Sequence, residues 1–174
     1  MDPRYPIGKY KFDGKISKNI LDEWIQDIEE FPALLRGAVQ NLNQEQLNTP
    51  NRQGGWTIRQ VIHHLADSHM NAYIRIKLAL TEENPTIKPY EEADWAKLPD
   101  YQLPIEASLS ILDSLHLRWT HLLRNLEAEE LRKTLIHPES GNHSVTFMIG
   151  NYSWHGKHHL AQITNLLLSR DWKR

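Results

Sequence analysis

Four long stretches of this chain repeat apolar residues at three- and four-residue spacings, which is the period of an amphipathic α-helix. The stretches are approximately residues 17–41, 58–80, 105–126 and 145–169. Ser17 is a suitable N-cap for the first, and Thr57 with Gln60 forms a capping box at the start of the second. Because such helices bury their apolar faces against one another, the pattern predicts an all-α four-helix bundle.

Two of the connections between these helices carry turn and breaker residues. Residues 81–104 contain Pro85, Pro89, Pro99 and Pro104, so we expect a long crossover connection with at most a short helix in the run EEADWAKL. Farther along, the turn sequence PESG lies between KTLIH and NHSVTF. This arrangement predicts a small β-hairpin before the last helix.

The beginning of the chain has a different character from the helical stretches. Residues 1–16 contain several prolines and glycines and no sustained period, which indicates an extended arm on the surface. Within the first helix, Pro32 is expected to kink or divide the helix. The length of 174 residues is typical of one domain, so we expect residues 1–174 to form a single domain.

Composition excludes several classes of function. Lys and Arg together number 20 and Asp and Glu number 22, so no large positive field would attract nucleic acid or an anionic membrane. No stretch approaches the apolar length of a membrane span, and the first residues lack the apolar run of a secretory signal, so we expect a cytoplasmic protein. Because the chain has no cysteine, any metal site must use His, Asp or Glu.

The ten histidines are unusual in number, and six of them form two groups on predicted helices. In WHGKHHL, His155 and His159 are one helical turn apart and project from the same face, so their imidazoles can converge on one ion. On a helical wheel they lie at the shoulder of the apolar stripe, whereas His158 lies farther round toward solvent. The periodicity therefore favours His155 with His159 as a pair of metal ligands.

The third ligand is expected on the helix that contains VIHHLADSH, but the wheel does not choose among its histidines. His63 and His64 flank the apolar stripe on opposite sides. His69 lies near the centre of the stripe, where the simpler interpretation is a core imidazole with one hydrogen bond. The remaining histidines are isolated, and we interpret them as structural or solvated without a functional role. These are His116, His121, His137 and His143.

Three segments resemble a known family. The run GGWTIRQVIHHLADSHMN, the proline-rich middle and the late WHGKHHLAQI are similar to the YfiT-like metal-dependent hydrolases of the DinB superfamily, and the opening YPIGKY is similar as well. The resemblance implies a four-helix bundle in which His64, His155 and His159 bind the metal. It also implies zinc as the ion, with nickel as an alternative, and a homodimer. Members of the wider superfamily are thiol-dependent transferases that use bacillithiol, mycothiol or glutathione.

Three histidine ligands leave a coordination position open for water or substrate. Zinc lowers the pKa of a bound water toward about 7, so we predict a metal-dependent hydrolase acting on a small-molecule substrate. A thiol S-transferase would use the same ligands to hold a thiolate, and a noncatalytic bundle stabilised by its metal is a further alternative. Asp67 follows His64 by three residues and is the candidate general base or orienting carboxylate. The alternatives are a surface carboxylate or a helix-face partner of Arg75 or Lys77.

Overall fold

The computed structural model describes residues 4–172 as a bundle of four long helices with two short helices and one hairpin. In chain order the helices are α1 (Lys18–Val39), α2 (Gln44–Leu47), α3 (Ile58–Thr81), α4 (Glu92–Trp95), α5 (Glu106–Arg124) and α6 (Val145–Ser169). The strands β1 (Thr134–His137) and β2 (Gly141–Ser144) pair antiparallel between α5 and α6. The predicted all-α bundle with a long crossover and a small hairpin is therefore confirmed.

The four long helices pack so that each has two neighbours. α1 and α3 each contact both α5 and α6, which places α1 opposite α3 across the bundle. Their buried apolar side chains form two clusters, one near each end of the bundle. The outward faces carry the charged residues, and no helix within residues 4–172 is both long and apolar enough to cross a membrane.

The helix starts follow the capping residues. The Ser17 side chain accepts a hydrogen bond from the Ile20 backbone N–H at the start of α1. At the start of α3, Thr57 and Gln60 form the reciprocal capping box, with both side chain to backbone bonds present. Because these caps satisfy backbone donors that have no partner inside the helix, they determine where each helix begins.

A division of α1 at Pro32 was one of the two expected outcomes, and it does not occur. The helix continues from Lys18 to Val39 with Pro32 buried in its interior. Proline has no backbone N–H, so the carbonyl of Ile28, four residues earlier, loses its usual helical partner. The Nδ1 atom of His116 on α5 lies 2.5 Å from that carbonyl oxygen and replaces the missing donor.

The crossover between α3 and α5 is held against the bundle by polar and apolar contacts. Residues 85–87 of the crossover pair with Ile136 of β1, since Ile87 N–H donates to Ile136 O and Ile136 N–H donates to Pro85 O. Tyr101 lies in a 3₁₀ turn (Pro99–Gln102) and is 1% exposed. The crossover is thus an ordered cover over α3.

The described part of the N-terminal arm lies along α6, and residues 1–3 lie outside the described residues. The Tyr10 hydroxyl donates to the Phe147 carbonyl at 3.2 Å, and the Trp154 indole N–H donates to the Gly8 carbonyl at 3.1 Å. Gly150 makes this close approach possible, because a Cβ atom there would lie 2.4 Å from the Tyr10 hydroxyl and 2.7 Å from the Trp24 ring.

We predict that Gly150→Ala destabilises the protein while Gly37→Ala stabilises it. Both glycines lie inside helices, where alanine is intrinsically favoured by up to about 1 kcal/mol. At Gly37 nothing lies within 4 Å of the added Cβ, whereas at Gly150 the overlap must displace the arm or Trp24, at about 1–3 kcal/mol. Urea unfolding measures the free energy of unfolding of both variants, which should fall in Gly150→Ala and rise in Gly37→Ala. A stabilised Gly150→Ala protein would show that the arm does not pack here in solution.

Candidate metal centre

Three histidines from two helices converge at the middle of the bundle. His64 lies on α3, and His155 and His159 lie one turn apart on α6. One ring nitrogen from each residue lies within 4.8 Å of the others. The ring centroids of His64 are 5.4 Å from His155 and 5.1 Å from His159. Among residues 4–172 this is the only group of three or more His, Asp or Glu side chains with metal-binding spacing.

The chemistry of these three side chains fits a divalent transition metal. Burial lowers the pKa of His64 to about 4, and burial together with the neighbouring imidazoles lowers the pKa values of His155 and His159 well below 6.5. All three rings are therefore neutral at pH 7 and present lone pairs. The buried Nδ1 atom of His64 has no hydrogen-bond partner, which is rare for a buried polar atom unless an ion or water completes it.

Gln162 determines which nitrogen of His159 is available. Its side-chain oxygen accepts a hydrogen bond from Nδ1–H of His159 at 2.9 Å, which leaves Nε2 with the lone pair. Asn51 donates to the same oxygen at 3.1 Å and so holds the amide in this orientation. The sequence interpretation missed Gln162, although its position three residues after His159 on a helix is a signal that could have identified it.

The other two histidines of α3 have different partners from His64. His63 uses both ring nitrogens, with the Ser108 hydroxyl at 2.7 Å from Nδ1 and the Leu103 carbonyl at 3.1 Å from Nε2. His69 makes two hydrogen bonds to imidazoles, one with His116 and one with His155. The expectation of a single hydrogen bond for His69 was wrong, because the wheel could not show that α5 and α6 both bring an imidazole to it.

His158 is buried and not directed toward solvent, so that part of the wheel interpretation was wrong. Its side chain is 6% exposed and stacks on Trp154 with ring centroids 4.6 Å apart, while the Tyr5 ring lies 5.9 Å away. The N-terminal arm covers this face of α6, which the periodicity of one helix cannot reveal. Trp56, just before α3, lies beside the cluster, since its ring is 4.7 Å from that of His64.

Asp67 lies beside Tyr101 of the crossover. The Tyr101 hydroxyl donates to Asp67 Oδ2 at 2.7 Å, and burial raises the pKa of the Asp67 carboxyl. Arg75 instead donates to the Lys88 carbonyl at 3.0 Å, and within residues 4–172 no ion pair joins Asp67 to Arg75 or Lys77. No contact among the described residues joins Asp67 to the three clustered histidines, and its catalytic role stays a prediction.

A cavity of about 290 Å³ opens beside His159. Trp56 and Gln162 form part of its wall, and Arg52 contributes a positive charge. Within residues 4–172 no acidic side chain lines this cavity. Its volume is at the lower limit of small-molecule sites, and His159 is the member of the three-histidine cluster that lines it, so a compact ligand in the cavity would lie beside His159.

Proteins of similar sequence are known for nearly the whole chain. The model of the DinB superfamily matches residues 27–163. A protein of Oceanobacillus iheyensis named "Putative metal-dependent hydrolase" is 60% identical over 172 residues, covering 99% of this chain and 100% of that protein. A Bacillus cereus protein of the same name is 56% identical over 171 residues, covering 98% of this chain and 99% of its own.

Solved structures share the fold. YfiT from Bacillus subtilis, described as a probable metal-dependent hydrolase with an unusual four-helix bundle topology, superposes with a TM-score of 0.96 at 47% identity. That match covers 99% of this chain and 100% of YfiT. A further four-helix bundle protein superposes with a TM-score of 0.61 at 18% identity, covering 83% of this chain and 98% of the other, and shares the fold alone.

Proposed function

Because this chain belongs to the DinB superfamily, we propose that it is a metal-dependent hydrolase whose divalent ion, zinc in the first instance, is held by His64, His155 and His159. The observation that carries the proposal is the convergence of three neutral imidazole nitrogens within 4.8 Å of one another, without a carboxylate in the group. Catalytic zinc sites have three protein ligands and an open position, whereas structural sites are closed by four. The names of the relatives from Oceanobacillus iheyensis and Bacillus cereus support the same activity.

The residues around the cluster have separate tasks in this proposal. A bound divalent ion supplies Lewis acidity, which polarises a substrate oxygen and lowers the pKa of water. Gln162 orients His159, and Trp56 shields His64 from bulk water. The cavity beside His159 admits the substrate, and Arg52 favours a substrate with a polar or anionic group near the reacting bond.

We propose that Asp67, which follows His64 by three residues on α3, accepts a proton from the attacking water during hydrolysis. Tyr101 donates to Oδ2, which fixes the carboxylate, and Oδ1, which has no hydrogen bond within residues 4–172, can take a proton. Burial raises the Asp67 pKa above its ordinary value, which brings the group closer to the pH at which a general base is most effective.

The test compares metal-free protein with protein reloaded with one equivalent of zinc, using p-nitrophenyl acetate and p-nitrophenyl phosphate as probes. We expect hydrolysis of one of them by the zinc-loaded protein only. Asp67→Asn should lower kcat by about 100-fold or more without loss of zinc, because general base catalysis is worth at least that much. Asp22→Asn, an exposed carboxylate on α1, is the matched control and should keep full activity.

Two outcomes would overturn the proposed hydrolase. If the zinc-loaded protein hydrolyses neither probe but accelerates conjugation of bacillithiol or glutathione with monochlorobimane, the site activates thiols and the protein is an S-transferase. If zinc changes the rate of no reaction and only raises the melting temperature, the ion has a stabilising role alone.

A further inference from the structure

A line of three imidazoles, of which His69 and His116 are buried and His155 is partly buried, crosses the bundle between its two apolar clusters. His155 on α6 contacts His69 on α3, with 3.1 Å between His155 Nδ1 and His69 Nε2. His69 in turn contacts His116 on α5, with 2.8 Å between His69 Nδ1 and His116 Nε2. His69 and His116 are each 1% exposed. The line continues to α1, where His116 Nδ1 lies 2.5 Å from the Ile28 carbonyl oxygen.

The direction of every hydrogen bond in this line is determined at its α1 end. A carbonyl oxygen can only accept, so His116 must carry its proton on Nδ1 to bond with Ile28. Its Nε2 is then an acceptor, which requires that His69 carry its proton on Nδ1. His69 Nε2 is an acceptor in the same way, and His155 must donate to it from Nδ1–H.

The acceptor at the α1 end exists because of Pro32. In an uninterrupted helix the Ile28 carbonyl would accept from the backbone N–H of residue 32, which proline lacks. The freed carbonyl is buried and needs a donor, and His116 supplies it. A single proline on α1 thus determines the orientation of protons through three other helices.

We propose that His69 and His116 are positioning residues that fix His155 as its Nδ1–H tautomer, so that His155 Nε2 holds the lone pair available to the metal. This inference rests on the proposed metal site. Gln162 fixes the tautomer of His159, and the imidazole line would do the same for His155, the other ligand on α6. Hydrogen bonds to the distal nitrogen of a ligating histidine fix its tautomer and ring orientation.

Packing alone does not account for this line. His69 and His116 place four ring nitrogens in the core, and their desolvation is a cost that apolar side chains of similar size would not have. Burial lowers the pKa of His116 to about 4 and that of His69 well below 6.5, so both are neutral at pH 7 and each has one donor and one acceptor nitrogen. The line ends on a carbonyl that cannot pass a proton onward, so its role is orientation and not proton transfer.

The first test reads the tautomers in metal-free protein by long-range ¹H–¹⁵N correlation spectra of the histidine rings. We expect the Nδ1–H form for His155, His69 and His116. In His69→Leu the acceptor for His155 is removed, so its ring should become a mixture of both tautomers. In His69→Gln the side-chain amide can accept from His155 and donate to His116, so the Nδ1–H form of both neighbours should persist.

The second test measures zinc affinity by competition with a chromophoric chelator. His69→Leu should weaken binding by about 10- to 100-fold, the usual effect of losing a partner of a ligating histidine. His69→Gln should remain within a few-fold of the unmodified protein. If His69 had a purely structural role, the loss of zinc affinity in each variant would parallel its loss of stability. The melting temperatures of both variants are therefore measured together with their zinc affinities.

Three results would overturn the inference: a His155 ring protonated on Nε2 in the unmodified protein, unchanged zinc affinity in His69→Leu, or an equal loss in His69→Leu and His69→Gln. If the unmodified protein binds no zinc at all, the proposed hydrolase fails, while the tautomers still decide whether the line positions His155. Should His69→Leu not fold, the spectrum of the unmodified protein and the affinity of His69→Gln decide in its place.

Discussion

His159→Ala is expected to lower the affinity for zinc by about 100- to 1,000-fold, whereas His158→Ala should leave it within a few-fold. Four-ligand zinc sites bind with about 10–16 kcal/mol, so each ligand is worth about 3–4 kcal/mol, and about 1.4 kcal/mol changes an affinity tenfold. His159 offers a nitrogen to the three-histidine group, and His158 does not. Titration calorimetry, with chelator competition for the tightest binding, measures both affinities.

The two variants are matched because they remove the same side chain from adjacent positions of one helix. Both histidines are buried, at 9% exposure for His159 and 6% for His158, and Gln162 contacts both of them. A general loss of packing would therefore affect both variants. If His158→Ala lost zinc and His159→Ala retained it, the assignment of the site to His64, His155 and His159 would be wrong.

The long helices could be predicted from sequence because their signals are local. The pattern predicts helices over 58–80 and 145–169, and the structure has Ile58–Thr81 and Val145–Ser169. Period and caps act within a few residues of one another, so tertiary contacts do not overrule them here. Pro32 is the exception: the local rule predicts a kink or a division of the helix, and α1 continues through Pro32, where a donor from α5 compensates for the missing N–H.

The pair of histidines on α6 was also a local prediction, since four residues make one helical turn. The choice on α3 was not, because His63, His64 and His69 all lie in the buried face of that helix. Their roles depend on which helix each one faces: His63 meets Ser108 of α5, while His64 meets the α6 pair. Only the resemblance to a family selected His64 before the helices were assembled.

The imidazole line could not be predicted from any spacing in the chain. His116 was interpreted as an isolated histidine without a role, and 47 residues separate it from His69. The carbonyl at the end of the line belongs to Ile28, whose side chain gives no sign of a free acceptor. Polar groups that become partners only through packing leave no periodic signal, and this limits sequence reasoning about what surrounds a metal site.

The imidazole line and the metal cluster together predict a strong loss of stability in mild acid. Burial lowers the pKa of His116 to about 4 and that of His64 to about 4, against 6.5 for an unperturbed histidine. Between pH 6.5 and 4 the unfolded chain therefore binds more protons than the folded protein. By linkage, the contribution of these neutral rings is complete above pH 6.5 and is lost as the pH falls toward 4.

The free energy of unfolding of metal-free protein should be lower at pH 5.0 than at pH 7.5 by about 2 kcal/mol for each of these two groups. Urea unfolding at the two pH values, with chelator present, measures this difference.

His116→Gln keeps a donor for the Ile28 carbonyl and an acceptor for His69 but cannot be protonated, so it should lose about 2 kcal/mol less than the unmodified protein over the same interval. His121→Gln, an exposed position on the same helix, should leave the interval unchanged. If His116→Gln showed the full acid loss, the His116 ring would not be a buried neutral group in solution, and the hydrogen-bond directions inferred from it would be incorrect.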